Sequence, residues 1–141
     1  MDLKTAPSNV LLLLALLLTQ TCVAQGQPLD DWHASKSEAA VLPQFCWGQM
    51  MGNVNGMEYW IPRETCGEGM NHYCLGQLSI VRANRTFGGA NLYKKKALLR
   101  AAKDHTEYTL TAMRDYPSCP IREHAETTLK QIESQLRAFR K

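Results

Sequence analysis

The chain has 141 residues, 45% of them apolar and 21% charged, with a formal net charge of +3. That length supports one buried core and is short for two. With 9 Gly and 6 Pro the composition is neither collagen-like nor that of a disordered polymer, and the small surplus of 16 Lys and Arg over 13 Asp and Glu gives no support to nucleic-acid binding.

An export signal comes first. Val10 to Leu18 is an unbroken apolar run. It is less than half the length of about 20 residues that a spanning helix needs, and it fits the hydrophobic region of a secretory signal. Lys4 and the amino terminus supply the positive flank, and Cys22-Val23-Ala24 places small side chains for cleavage after Ala24. Lipid attachment at Cys22 is disfavoured, because Thr19 stands where a lipoprotein signal carries Leu. The expected organisation is a signal peptide over 1–24, a flexible leader over 25–41 and a single helical domain over 42–141. No second apolar run follows, so the mature chain is expected to be soluble, without a membrane span, and periplasmic or secreted.

Four cysteines remain in that mature chain: Cys46, Cys66, Cys74 and Cys119. An even number in an oxidising compartment predicts two disulfides, and four cysteines allow three pairings. Spacings of 20, 8 and 45 contain no Cys-x-x-Cys pair, which argues against structural zinc and against a redox motif.

The leader ends in a short helix expected over Ser35–Val41. Pro43 then opens a segment rich in large side chains, Leu42 to Met51, read as a short helix. Gly52 to Gly56 is a loop, Glu58 to Pro62 is extended or a turn, and Cys66 to Gly69 is read as a flexible link. Three long helices follow. The first, Met70 to Asn84, places Cys74, Leu78 and Val81 at i, i+4 and i+7. Gly88-Gly89 breaks it. The second, Leu92 to Tyr116, carries Leu98, Ala101, Ala102, His105, Thr109, Ala112, Met113 and Tyr116 on one face. Lys96, Arg100, Lys103, Glu107, Thr111 and Arg114 lie on the other. Pro117 ends it. The third, Pro120 to Phe139, is expected to start at a Ser118 or Cys119 cap with Pro120 in its first turn. Its buried stripe is Ile121, Ala125, Thr128, Leu129, Ile132, Leu136 and Phe139, and its acidic start and basic end suit the helix dipole.

Leu75-Gly76 in the first helix, with Ala112 and Pro117 closing the second, resembles the helical hairpin of a tetratricopeptide repeat. Phe45-Cys46-Trp47-Gly48 and His72-Tyr73-Cys74-Leu75-Gly76 are similar to the leading segment of bacterial exported proteins of that type. The resemblance covers about residues 42–129. It implies a fold that is all-α and partly tetratricopeptide-like, a helical hairpin with a third antiparallel helix. It also implies a pairing: Cys46 with Cys74, in the two matching aromatic-Cys motifs, which leaves Cys66 for Cys119. Each bridge would contribute about 3–4 kcal/mol by restricting the unfolded chain. Gly76 and Ala112 lie 36 apart, where a repeat of about 34 residues places the two about 19 apart, so long helices and the Gly88-Gly89 loop must absorb the excess. One repeat and part of another cannot bury its own faces. The missing burial is expected from Leu42–Ile61, from the disulfides, or from another chain, a second copy included.

No reactive constellation stands out. His72 and Cys74 are two apart on one helix and point to different sides, and Cys74 is expected to be bridged. Among His33, His72, His105 and His124 no two are at i, i+4, and His105 falls on an apolar stripe, so neither metal nor other cofactor is assigned. Glu64 and Glu68 flank Gly67 and form no acid–base pair. Met50, Met51, Met57 and Met70 with Trp47 and Trp60 read as core packing before they read as an adaptable peptide surface. Asn84-Arg85-Thr86 matches a glycosylation acceptor. Lys94, Lys95 and Lys96 with Arg100 and Lys103 form a basic cluster. The function expected is non-enzymatic: an exported adaptor that takes a peptide or protein partner in a groove between the first and second helices, with Lys96, Arg100 and Lys103 at its rim. The alternative is a secreted, disulfide-stabilised effector or signalling protein acting on a foreign receptor.

Overall fold

In a computed structural model of the protein, residues 33–50 and 57–139 are described. The expected signal peptide with its expected cleavage site, the first part of the expected leader, Met51 and the expected loop over 52–56 lie outside them.

The chain enters through α1 (Lys36–Ala39), whose start is a capping box. Ser35 Oγ accepts the Glu38 N–H at 3.3 Å, and Glu38 Oε2 accepts the Ser35 N–H at 2.8 Å. A 3-10 turn over Gln44–Cys46 runs straight into α2 (Trp47–Met50). A second 3-10 turn over Met57–Tyr59 leads to α3 (Arg63–Cys66), with Pro62 at its N-cap. The long helices are α4 (Met70–Asn84), α5 (Leu92–Ala112) and α6 (Arg122–Ala138), joined by a 3-10 turn over Gly89–Asn91 and an irregular turn after α5. Among the described residues there is no strand, and no helix is long and apolar enough to cross a membrane. The fold is all-α.

Both disulfides are present, Cys46–Cys74 and Cys66–Cys119, in the pairing that the resemblance implies. Each sits in its own apolar cluster. Cys46 and Cys74 lie with Leu42, Met50, Leu75 and Leu78, where the entry segment covers α4. Cys66 and Cys119 lie with Met70, Tyr73, Met113, Ile121 and Ala125, where all three long helices meet. A third cluster, Ala83, Leu98, Leu99, Ala102 and Ile132, has no bridge. The burial that three helices lack therefore comes from residues 42–50 and from the cystines.

Four expectations are corrected by these contacts. Cys66 to Gly69 is not a flexible link. It is a 3-10 turn over Gly67–Gly69, with Gly67 and Gly69 buried against α5. Gly67 has φ +73°, and a Cβ there would stand 2.9 Å from the Ala112 carbonyl oxygen and from the Tyr116 ring. Only glycine meets both demands at low cost.

The second helix ends at Ala112 rather than Tyr116. Successive turns, Tyr116 N–H to Met113 O at 2.9 Å and Cys119 N–H to Tyr116 O at 3.1 Å, fold residues 113–119 back so that Cys119 reaches Cys66. The third helix starts at Arg122, with Ile121 at the cap position and no side-chain cap. Cys119 cannot cap it, because its sulfur is bridged inward. Arg122 serves the other end of the turn. Its guanidinium donates to the carbonyls of Met113 and Tyr116, groups that the early end of α5 leaves without helical partners.

The end of the leader is pinned rather than loose. Arg82 on α4 donates to Glu38 Oε1 at 2.9 Å and to the His33 carbonyl at 3.1 Å, and Arg85 donates to the Ser37 carbonyl at 2.7 Å. Ala39 is buried. The boundary expected at residue 42 thus lies beyond residues that already pack on α4. The Glu38 carboxyl is held down at about 2, chiefly by the Arg82 hydrogen bond and further by the Ser35 N–H and hydroxyl, with burial opposing.

Candidate functional site

The α4–α5 contact decides where a groove can be. Small residues on both helices let the backbones approach closely. A Cβ on Gly76 would meet Thr106 Oγ1 at 3.2 Å and the Ala102 carbonyl at 3.3 Å, and one on Gly69 would meet Thr109 Cα at 3.0 Å. Thr109 Oγ1 donates to the Gly69 carbonyl at 2.9 Å across this contact. At these positions the first and second helices pack directly on each other, and among the described residues they leave no room there for the expected groove. Thr106 is buried at this contact, and Leu99 is buried between Ala83 of α4 and Ile132 of α6; both positions lie outside the expected stripe.

What remains open is the far side of α5. Lys96, Arg100 and Lys103, spaced i, i+4, i+7, line an open groove of about 350 Å³ whose other wall is Glu133, Leu136 and Arg137 of α6. Lys96 and Arg100 also line a second open groove of about 460 Å³ along α5, with Tyr93, Ala97, Ala101, Asp104 and His105. They form a ridge shared by the two. Lys103 pairs with Glu107 one turn on, and that hydrogen bond holds its ammonium above the ordinary lysine range. Among the described residues no ion pair engages Lys96 or Arg100. The basic residues singled out in the sequence are thus brought together, on the α5–α6 side of the molecule.

The ridge ends in exposed apolar side chains. Tyr93 is 84% exposed, Leu92 54% and, across the turn, Phe87 77%. Helix α5 begins here without a side-chain cap, and nothing lies within 4 Å of a Cβ placed at Gly88 or Gly89. The burial pattern of α5 shows that its first turn reaches past the core. Its buried residues begin only at Leu98.

The other singled-out residues are accounted for as follows. Cys74 is buried in a disulfide and offers no thiol beside His72. Glu68 pairs with Arg63, and Glu64 is exposed. Met50 and Met70 are core residues. Trp47 is half-buried, its Nε1–H donating to the Leu42 carbonyl at 3.2 Å, while Trp60 stays 43% exposed over a groove of about 240 Å³ that Met70 also lines. Asn84 is exposed at the end of α4.

Two groupings were not visible in the helical register. The buried Tyr73 hydroxyl of α4 meets Thr128 Oγ1 of α6 at 3.0 Å and His124 Nδ1, and it accepts from Gln77 Nε2 at 2.9 Å. Burial pushes this phenol up to about 12, against the pull of the Thr128 and Gln77 hydrogen bonds. The second grouping joins α4 to α5. His72 Nδ1 and His105 Nδ1 approach to 3.1 Å, and the Tyr108 ring lies with its centroid 4.2 Å from that of His72. His105 is half-buried at the end of the larger groove, not a fully enclosed core residue. In the sequence His105 falls on the apolar stripe of its helix, and nothing there links it to His72.

No protein-family model matches the chain, and no curated protein or solved structure does either.

Proposed function

We propose that the protein is an exported, non-enzymatic interaction module that takes an acidic peptide or protein segment along the outer side of α5. The observation that carries this reading is the Lys96–Arg100 ridge, two cationic side chains without ion-pair partners among the described residues, between two open grooves and ending in the exposed Leu92 and Tyr93. A segment with carboxylates at helical or extended spacing and one apolar anchor complements it in charge and shape. The ridge charges would set the association rate and orientation, and the anchor against Tyr93 and Ala97 most of the affinity.

Support for export comes from two bridged cysteine pairs, which persist outside the reducing cytosol, together with the signal-like residues 1–24. The tetratricopeptide-like reading rests on Gly76 seated against Ala102 and Thr106 in a tightly crossed helical hairpin. The close α4–α5 packing at Gly69 and Gly76 supports a binding surface on the outer side of α5.

A peptide-display selection on the oxidised protein tests the proposal. The expected result is enrichment of sequences with Asp or Glu near an aromatic or aliphatic residue. Their binding should weaken at least about tenfold in Lys96→Glu/Arg100→Glu, should fall with salt, and should be unchanged in Lys130→Glu. Selected peptides without acidic bias, or binding indifferent to the double charge reversal, overturn the reading.

A further inference from the structure

We infer that His72 and His105 form a two-imidazole site for a divalent transition-metal ion, Cu²⁺ before Zn²⁺. The argument is independent of the peptide-binding reading. Two Nδ1 atoms from different helices stand 3.1 Å apart, with ring centroids 5.3 Å apart and planes inclined by 44°. With metal–nitrogen bonds of about 2.0–2.1 Å, that separation gives a nitrogen–metal–nitrogen angle of about 100°. This lies between the right angle of tetragonal Cu²⁺ and the tetrahedral angle of Zn²⁺. Without metal the same approach is an imidazole–imidazole hydrogen bond, one Nδ1–H donating to the other Nδ1. Binding moves that proton to Nε2 of the same ring and leaves both Nδ1 lone pairs on the ion. Both rings must turn so that their lone pairs converge on the ion instead of facing each other.

The surroundings hold the pair in place. Gly76 lets α5 come close enough that His105 Cβ lies 3.4 Å from where a Cβ would be on α4. The Tyr108 ring packs on that of His72 and limits its rotamers. His105 lines the larger groove on α5, which gives an ion a path from solvent. Among the described residues no group of three or more His, Cys, Asp or Glu gathers here. Any further donor would be water or a group of a bound molecule. Nitrogen and oxygen donors of this kind rank Cu²⁺ highest among first-row ions.

The probe is Cu²⁺ alone, added to the full chain with both disulfides intact and followed by electron paramagnetic resonance and calorimetry at neutral pH. The expected result is one strongly held ion per chain with at least two nitrogen ligands. Either His72→Gln or His105→Gln should weaken binding by about tenfold or more, whereas His33→Gln should leave it unchanged. Because imidazole ligates only when neutral, affinity should fall on acidification. If a variant does not fold, amide spectra of the wild-type protein decide: paramagnetic broadening must centre on residues around 72 and 105. Binding that survives both substitutions, a single-nitrogen spectrum, or broadening centred on His33 or His124 overturns the inference.

Discussion

The two ends of the α4–α5 hairpin each carry a pair of glycines, and they use them in opposite ways. Gly67 and Gly69 sit where the chain enters α4. They are buried, and side chains there would collide with α5 backbone within 2.9–3.0 Å. Gly88 and Gly89 sit where the chain leaves α4 for α5, and a Cβ at either would meet nothing within 4 Å. The first end holds the Cys66–Cys119 bridge and the Tyr73 cluster. The second has an unbridged cluster behind it and exposes Phe87, Leu92 and Tyr93. One end of the molecule concentrates the interactions that define the fold, and the other is free to be a surface.

If that division is right, the largest effects come from the bridged end. Cys66→Ser/Cys119→Ser opens a loop with sequence separation 53 and is expected to cost about 4 kcal/mol in urea denaturation. Cys46→Ser/Cys74→Ser opens one of 28 and is expected to cost slightly less, about 3.5 kcal/mol. Against a total of about 5–15 kcal/mol either loss is severe. Next comes Gly67→Ala, at about 3 kcal/mol, because it forces a positive φ on alanine and drives its Cβ toward the Ala112 carbonyl. A stability unchanged in Gly67→Ala would dissolve the contrast between the ends.

The outline of this arrangement was legible in the sequence, and the reason is periodicity. Helix α4 has the bounds that its apolar spacing predicts, and the stripe of α6 through Ala125, Thr128 and Ile132 is buried as expected. What periodicity does not carry is which helix faces which. Thr106 is buried on α5 because Gly76 of α4 lets it approach, and Leu99 because it packs with Ala83 of α4 and Ile132 of α6. Thr106 tolerates that burial by donating to the Ala102 carbonyl at 2.7 Å. On its other side α5 lines, with Lys96 and Arg100, a groove whose second wall is α6. The early end of α5 is also a tertiary effect, set by the need to return Cys119 to Cys66. His72 and His105 lie 33 residues apart, beyond what any local spacing can link.

Two intermediate predictions probe polar contacts that tie the fold's flanks to α4. Tyr73→Phe removes the hydroxyl shared by Thr128, His124 and Gln77. It leaves Thr128 with a lost partner in the interior, and the expected cost is about 1–2 kcal/mol in thermal melts. The Glu38–Arg82 pair gives a pH signature. The Glu38 carboxyl titrates at about 2 in the folded chain against its ordinary 4.5, so its contribution is complete above the ordinary value and fades as pH falls toward 2. Because the pair lies near the surface, that contribution is expected to be about 1–2 kcal/mol. Glu38→Gln should therefore melt below the wild type at pH 7, and the two curves should converge near pH 2. A gap that persists undiminished at pH 2 would mean that Glu38 contributes through its Ser35 capping contacts and not through its charge beside Arg82.

The smallest expected effect is the most informative about the open end. Gly89 begins the 3-10 turn that leads into α5, and a Cβ there points into open space. Gly89→Ala removes no contact and strains no positive φ, so only the unfolded chain feels it. Restricting that chain should leave stability within about 0.5 kcal/mol of wild type, or raise it slightly. The substitution also stiffens the turn that presents Phe87, Leu92 and Tyr93. If these residues form the apolar end of a binding surface, a stiffer turn should hold or tighten peptide affinity while stability stays level. A clear loss of stability in Gly89→Ala would mean that the turn is packed after all, and the apolar tip would then be part of the core's support rather than a surface kept free for a partner.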